Sequence, residues 1–153
     1  MILVGVDGSA PARRALEWAA AEARLRACEL VVVHAYYDPR GERADSAPAT
    51  LARRDLEAAL DGFEPDGVVV HPRLVEGTVA AALLREARGA ELLVVGSRHP
   101  GRGVPPLDSV GLACARHASC PVVVVPTLAG PAGHGRGLAP GSGTPAGTAR
   151  HTP

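Results

Sequence analysis

The sequence predicts a doubly wound α/β domain: a five-stranded parallel sheet with helices on both faces. Three observations predict it. Short β-branched runs such as Ile2 to Val6, Leu92 to Val95 and Val122 to Val125 are too short for helices and apolar enough to be strands buried on both faces. Ala- and Leu-rich stretches with helical spacing alternate with these runs. The segment from Glu91 to Val125 reads as strand, loop, helix, strand, and parallel neighbours of this kind need crossovers, which are right-handed and so cover both faces.

In chain order, Ile2 to Val6 stops at Asp7-Gly8-Ser9, where Gly8 permits a tight turn and Ser9 is placed to cap a helix. Ala10 to Ala27 follows, with Ala15, Leu16, Ala19, Ala20 and Ala23 on one face and Pro11 tolerated in the first turn. Glu29 to Tyr36 is the second strand, and Asp38 to Pro48 is a loop of Pro, Gly and mixed charge. Ala49 to Leu60 is the second helix, with Ala52, Leu56, Ala59 and Leu60 at helical spacing, and Asp61 to Asp66 breaks it. The third strand is predicted over Gly67 to Pro72. The third helix runs from Val79 to Arg88, with Ala80, Leu83, Leu84 and Ala87 facing inward and Gly89 closing it. Ser109 is a candidate cap for a short fourth helix, with Leu112, Ala113 and Arg116 on its successive turns. A loop at a strand's carboxyl end, met by a helix amino terminus, is a place that binds anions.

With 153 residues and 46% apolar content the chain can bury one sizeable core, so one domain is expected over residues 1–126. Thr127 to Pro153 is mostly Gly, Pro, Ala and Thr and lacks the apolar bulk to offset ordering, which predicts a flexible tail. Formal charge is zero, with 16 acidic and 16 basic residues, which argues against a nucleic-acid or anionic-membrane partner. No apolar stretch approaches the roughly 20 residues of a membrane span, and no basic segment precedes the first strand; the expected location is the cytoplasm. Cys28, Cys114 and Cys120 have no metal-site spacing and read as thiols with a structural role. All basic side chains are Arg, and Lys, Asn and Gln are absent, which excludes a P-loop lysine, a Schiff-base lysine and a Cys/His/Asn catalytic set. An adenine held here would have to be read by main-chain groups. No nucleophile with a neighbouring base is visible, so an enzyme is not expected.

His34, His71 and His117 lack partner spacing and are expected to be packing or surface residues, Trp18 a partly buried anchor, and Arg13-Arg14 and Arg53-Arg54 solvated helix faces. Asp7, at a strand's carboxyl end, is either a turn former or a ligand contact, with the second reading favoured.

The segments VGVDGS, VVVHAYYD, AELLVVGSR and DSV followed by CPVVVV, in this order and spacing over residues 1–126, resemble the universal stress protein family. The resemblance implies a Rossmann-like fold of the adenine nucleotide alpha hydrolase kind, commonly dimerised through the last strand, here Val122 to Val125. It implies a stress-response protein that binds ATP or another adenine nucleotide, with Mg2+ as a candidate companion, at Gly5, Val6, Asp7, Ala35, Val95, Gly96, Arg98, Ser109 and Val110. Within that set, Asp7 matches the family's first-strand Asp and Ala35 the place where adenine meets the backbone. Gly96 matches the first Gly of the family's phosphate loop, which reads Gly, two residues, Gly, nine residues, Gly and a hydroxyl residue, and Ser109 matches the final hydroxyl.

Between those ends the loop departs from the family. His99 stands at the second Gly position, Asp108 replaces the third Gly, and the loop is one residue short. Pro100, Pro105 and Pro106 each remove an amide donor, and a carboxylate at Asp108 opposes a phosphate charge unless Arg98 and Arg102 or a bridging magnesium ion offset it. Gly101 and Gly103 supply flexibility in a shifted register. The second reading of the same residues is therefore a family member without nucleotide, acting as a dimeric interaction module.

Overall fold

The computed structural model describes residues 1–39, 46–97 and 109–126. The predicted tail at 127–153, most of the loop after the second strand and the loop at 98–108 with Arg98 lie outside the described residues.

The order of elements is β1 (Ile2–Gly5), α1 (Ala10–Leu25), β2 (Leu30–Tyr36), α2 (Ala47–Leu60), β3 (Val70–Glu76), α3 (Val79–Glu86), β4 (Leu92–Ser97), α4 (Ser109–His117) and β5 (Val122–Pro126). The strands form one parallel sheet in the order β3-β2-β1-β4-β5. The chain therefore winds outward from β1 to β3, then crosses back to β4 on the other side of β1. That reversal opens a crevice between the carboxyl ends of β1 and β4, the usual place for a ligand in an open α/β sheet.

Alternation along the strands divides the core in two. Ile2, Val4, Val32 and Val94 pack with Ala15, Leu16, Ala19 and Ala23 of α1 and Leu56 of α2. Leu3, Val31, Val33, Leu93 and Val95 pack with Ala82 and Leu83 of α3 and Cys114 of α4. β1 lies at the centre with Ile2, Leu3 and Val4 fully buried. The alanine stripe of α1 lets that helix sit close to the sheet. Ser9 caps α1, its Oγ accepting the Ala12 amide at 3.4 Å, and Pro11 occupies the first turn, where no amide is needed.

The third strand differs from the prediction. It runs from Val70 to Glu76, not Gly67 to Pro72. Asp66 and Gly67 both have positive φ (48° and 84°), so the first part of the apolar run is a turn: Val68 drops into the core while Val69 is exposed. Val70 to Glu76 can be strand despite Pro72 because β3 is an edge. In its ladder with β2, the odd-numbered residues of β3 turn their amides inward, as Gly77 does just beyond it toward the Tyr36 carbonyl, and the missing amide of Pro72 falls on the solvent side.

In α4 the buried positions are Gly111 and Cys114, and Leu112 is 43% exposed. In α3 the fully buried side chains are Ala82 and Leu83, with Ala80 and Leu84 half-buried. Arg13 is solvent-exposed in part but also holds α2: Nη1 donates to the carbonyls of Asp61 (2.9 Å) and Ala59 (3.4 Å) and Nη2 to Gly62 (3.2 Å), closing the carboxyl end of that helix. Trp18 is 37% exposed, and His71 lies on the surface 3.2 Å from Glu29.

Candidate functional site

A cleft occupies the crevice between β1 and β4. Its floor and walls are Gly5, Val33, Ala35, Val95 and Gly96 from the strands, Val6 just past β1, Val79 and Leu83 from α3, and Val110 from α4; Asp7, Ser9, Pro11 and Ala12 form the side toward α1. Seven of the nine residues expected at the site thus stand around one opening: Gly5, Val6, Asp7, Ala35, Val95, Gly96 and Val110. Ser109 opens α4 beside Val110. Arg98 lies outside the described residues.

The cleft is shaped by two close approaches. Gly5 has no side chain, and the Leu83 methyls fill the space instead; a Cβ at Gly5 would lie 3.0 Å from both Cδ1 and Cδ2. Gly96 lies under the first turn of α1, where a Cβ would meet the Pro11 backbone. The second contact holds α1 against the end of β4 and closes the cleft on that side.

Polar chemistry in the cleft comes mostly from the main chain. Among the described lining residues only Asp7 and Ser9 carry polar side chains. Asp7 Oδ1 accepts the Ser9 amide at 3.0 Å, which fixes the turn after β1, and the exposed Asp7 lines the cleft. The amino end of α1 is largely used up. Ala12 donates to Ser9 Oγ, Arg13 donates to the Ser9 carbonyl, and Pro11 has no amide. An anion therefore gains little from α1, and the start of α4 next to Val110 is the better-placed helix terminus.

The end of β2 supplies a different resource. The last rung between β1 and β2 is Gly5 with Val33, followed by a bond from the Val6 amide to the Val33 carbonyl (2.9 Å). In a parallel ladder the N–H and C=O of one residue point to the same neighbour and the next residue's pair points to the other. Tyr36 faces β3, where its carbonyl accepts from Gly77 (2.8 Å), so Ala35 turns both main-chain groups toward the cleft. Among the described residues no backbone group bonds them there.

The residues missed from sequence are Val33, Val79 and Leu83, together with the first turn of α1. Leu83 has the helical spacing of a core residue, and nothing local distinguishes a core position that also floors a cleft. Among the described residues no three His, Cys, Asp or Glu side chains come together to hold a metal ion, and no helix is long and apolar enough to cross a membrane.

Fold and cleft define an α/β protein of the doubly wound class, with its crevice at the point where strand order reverses. The profile of the universal stress protein family matches residues 1–126, and the chain belongs to that family. Its relatives include the universal stress protein Rv2623 of Mycobacterium tuberculosis, 33% identical over 141 residues, covering 81% of this chain and 46% of that protein. This chain thus spans about half the length of such curated relatives. A solved structure of a family member from Burkholderia pseudomallei is 35% identical, with a TM-score of 0.61 over 82% of this chain and 95% of that one. The universal stress protein of Archaeoglobus fulgidus in complex with dAMP is 26% identical, with a TM-score of 0.62 over 81% of this chain and 95% of that one.

Proposed function

We propose that this chain is a regulatory stress-response protein that holds an adenine nucleotide, ATP foremost, in the crevice where β1 and β4 part. One observation carries the reading: an apolar slot between Val33, Val79 and Leu83 lies beside the N–H and C=O of Ala35. A neighbouring donor and acceptor match the N1 acceptor and N6 amino donor of adenine, and apolar walls suit a flat ring. The dAMP complex of the Archaeoglobus relative supports the same ligand class.

On this reading Gly5, Val6 and Val95 back the base, and Asp7 accepts from ribose hydroxyls. The phosphates run past Gly96 toward Ser109 and Val110 at the amino end of α4, with Arg98 supplying positive charge. Asp7 is the one carboxylate among the described lining residues, so the cleft suits a magnesium ion that arrives on the phosphates and keeps several waters. The chain acts by changing state or partner and not by turning a substrate over.

Association as a homodimer through β5 is part of the same proposal. The two edges of the sheet are unlike. β3 carries His71, Pro72 and Arg73 exposed at its rim, which discourages pairing, whereas β5 presents Val122 to Val125 only half-buried. Cys28, Cys114 and Cys120 remain thiols, which fits a cytoplasmic setting.

The deciding experiment is thermal unfolding with increasing ATP or AMP, with and without Mg2+. A ligand of the native state raises stability by about 2.7 kcal/mol at a hundred times its Kd, and the effect grows by mass action. A rise of that form is expected. No shift at millimolar nucleotide favours the dimeric interaction module, with its cleft left unfilled.

A further inference from the structure

His34 is 8% exposed and lies on β2 immediately before Ala35. Its Nδ1 is 2.9 Å from the carbonyl oxygen of Val6. A carbonyl can only accept, so Nδ1 carries the proton and donates. The bond is out of place for a sheet. After the Val6 amide has bonded the Val33 carbonyl, the next ladder bond would join the Ala35 amide to the Val6 carbonyl and add a rung between Val6 and His34. That rung is not formed, and the pairing stops at Gly5 with Val33. The imidazole holds the acceptor that the Ala35 amide would otherwise use.

We propose that His34 is a positioning residue: by donating Nδ1–H to the Val6 carbonyl it ends the β1–β2 ladder one rung early and leaves the N–H and C=O of Ala35 to the hydrogen-bonding edge of a purine. The ligand half of this inference rests on the adenine-nucleotide reading above. The ladder half stands on the hydrogen bonds alone. A buried carbonyl left unpaired is costly, so Val6 must be satisfied by something. If the ladder satisfied it, the Ala35 amide would be spent inside the sheet. A side chain that satisfies it from outside the ladder keeps a donor in the cleft and stops the chain from drawing β1 tighter onto β2. It also fixes the exit of β1, and hence the turn at Asp7, which accepts the Ser9 amide at 3.0 Å.

Two substitutions separate this from a simple packing role. His34→Phe keeps a planar ring and removes the donor. His34→Asn keeps an N–H donor close to the position of Nδ1. The first measurement is residue-resolved amide hydrogen exchange on the full chain without ligand. In the wild type, Ala35 is expected to exchange at least about tenfold faster than Val33, whose amide lies within the ladder. In His34→Phe the Ala35 amide should slow by about tenfold as the Val6 carbonyl captures it, and in His34→Asn it should stay fast. A merely structural residue would produce the reverse, with faster exchange throughout the neighbourhood. An Ala35 amide as slow as Val33 in the wild type overturns the assignment, as does a His34→Phe protein with unchanged Ala35 exchange.

The second measurement is AMP affinity by calorimetry. His34→Phe should bind about tenfold more weakly and His34→Asn close to wild type, the change expected for one lost hydrogen bond. Equal affinity for wild type and His34→Phe overturns the ligand role. If wild type binds no AMP at millimolar concentration, the nucleotide reading fails, and the exchange experiment still decides whether His34 ends the ladder. If His34→Phe does not fold, the wild-type exchange rate of Ala35 and the His34→Asn affinity carry the test.

Discussion

Gly96 and Pro11 lie in backbone contact: a methyl group placed on Gly96 would fall 2.5 Å from both the carbonyl carbon and the carbonyl oxygen of Pro11, and 2.8 Å from the Ala12 nitrogen. The glycine that the family resemblance assigns to a phosphate loop is thus also the position that lets α1 close over the end of β4. Since the obstructing atoms are backbone, no rotamer change relieves them. Gly96→Ala should therefore lose about 1–3 kcal/mol of stability, or more if α1 cannot shift. Urea unfolding checks this, and an unchanged midpoint would mean that α1 is free to slide.

Asp7 bonds the Ser9 amide and is exposed, so its substitution should separate binding from folding. Asp7→Ala is expected to change stability by less than about 1 kcal/mol while weakening nucleotide binding by about tenfold. Calorimetric titration with AMP or ATP reads the second effect. Unaltered affinity would leave Asp7 with its turn alone.

Leu83 is fully buried and fills the space above Gly5. Truncation to alanine should cost about 2–5 kcal/mol through lost burial and a residual cavity. The new space opens into the cleft, so a purine with a bulky substituent should gain affinity relative to the parent base. A competition experiment with N6-substituted AMP reads that change, and an unchanged ratio would place the base elsewhere.

The half-buried valines of β5 are expected to carry self-association. Val124→Asp sets a carboxylate on the pairing edge and should convert a dimer to monomer in sedimentation velocity at micromolar concentration. A variant that still sediments as a dimer would move the interface to another face.

Burial pushes the Cys120 thiol above the usual range, more than the backbone hydrogen bond at Leu93 pulls it down. The thiolate is the reactive form, so alkylation of Cys120 at neutral pH should be slower than for a small free thiol and should accelerate only as pH climbs past the ordinary thiol range. The folded state favours the protonated form more than the unfolded chain does. The associated stability is fully present below the unfolded thiol pKa and is lost as pH rises through the folded value. Mass-spectrometric rates against pH check the first statement and the unfolding midpoint at alkaline pH the second. A reaction as fast as that of a free thiol would place Cys120 in solvent.

Much of this architecture is legible locally. The β-branched runs, the alanine stripe of α1 and the Asp7-Gly8-Ser9 turn state their conformations through sterics and period, and the resemblance to known family segments picks out seven of the residues that line the cleft. The misreadings share one cause. Val68 to Val70 looks like the middle of a buried strand, yet positive φ at Asp66 and Gly67 makes its first part a turn, and the strand continues through His71, Pro72 and Arg73 because an edge tolerates them. In α3 the spacing puts Ala80 and Leu84 on the inward face, yet both are only half-buried while Ala82 and Leu83 are covered. Periodicity reports that a residue is apolar, and only the neighbour across the interface decides whether it is covered.

The amino-acid sequence by itself determined that strands and helices alternate, that the strands run parallel and that no side-chain amide is available to read a base, because those properties follow from residue type and spacing along one segment. Tertiary structure alone decided that β1 lies between β2 and β4, that Pro11 presses on Gly96, and that the His34 ring takes the Val6 carbonyl. Each of these joins residues tens of positions apart, and a hydrogen bond or a steric contact exists only once the strand order has brought its two partners to the same place.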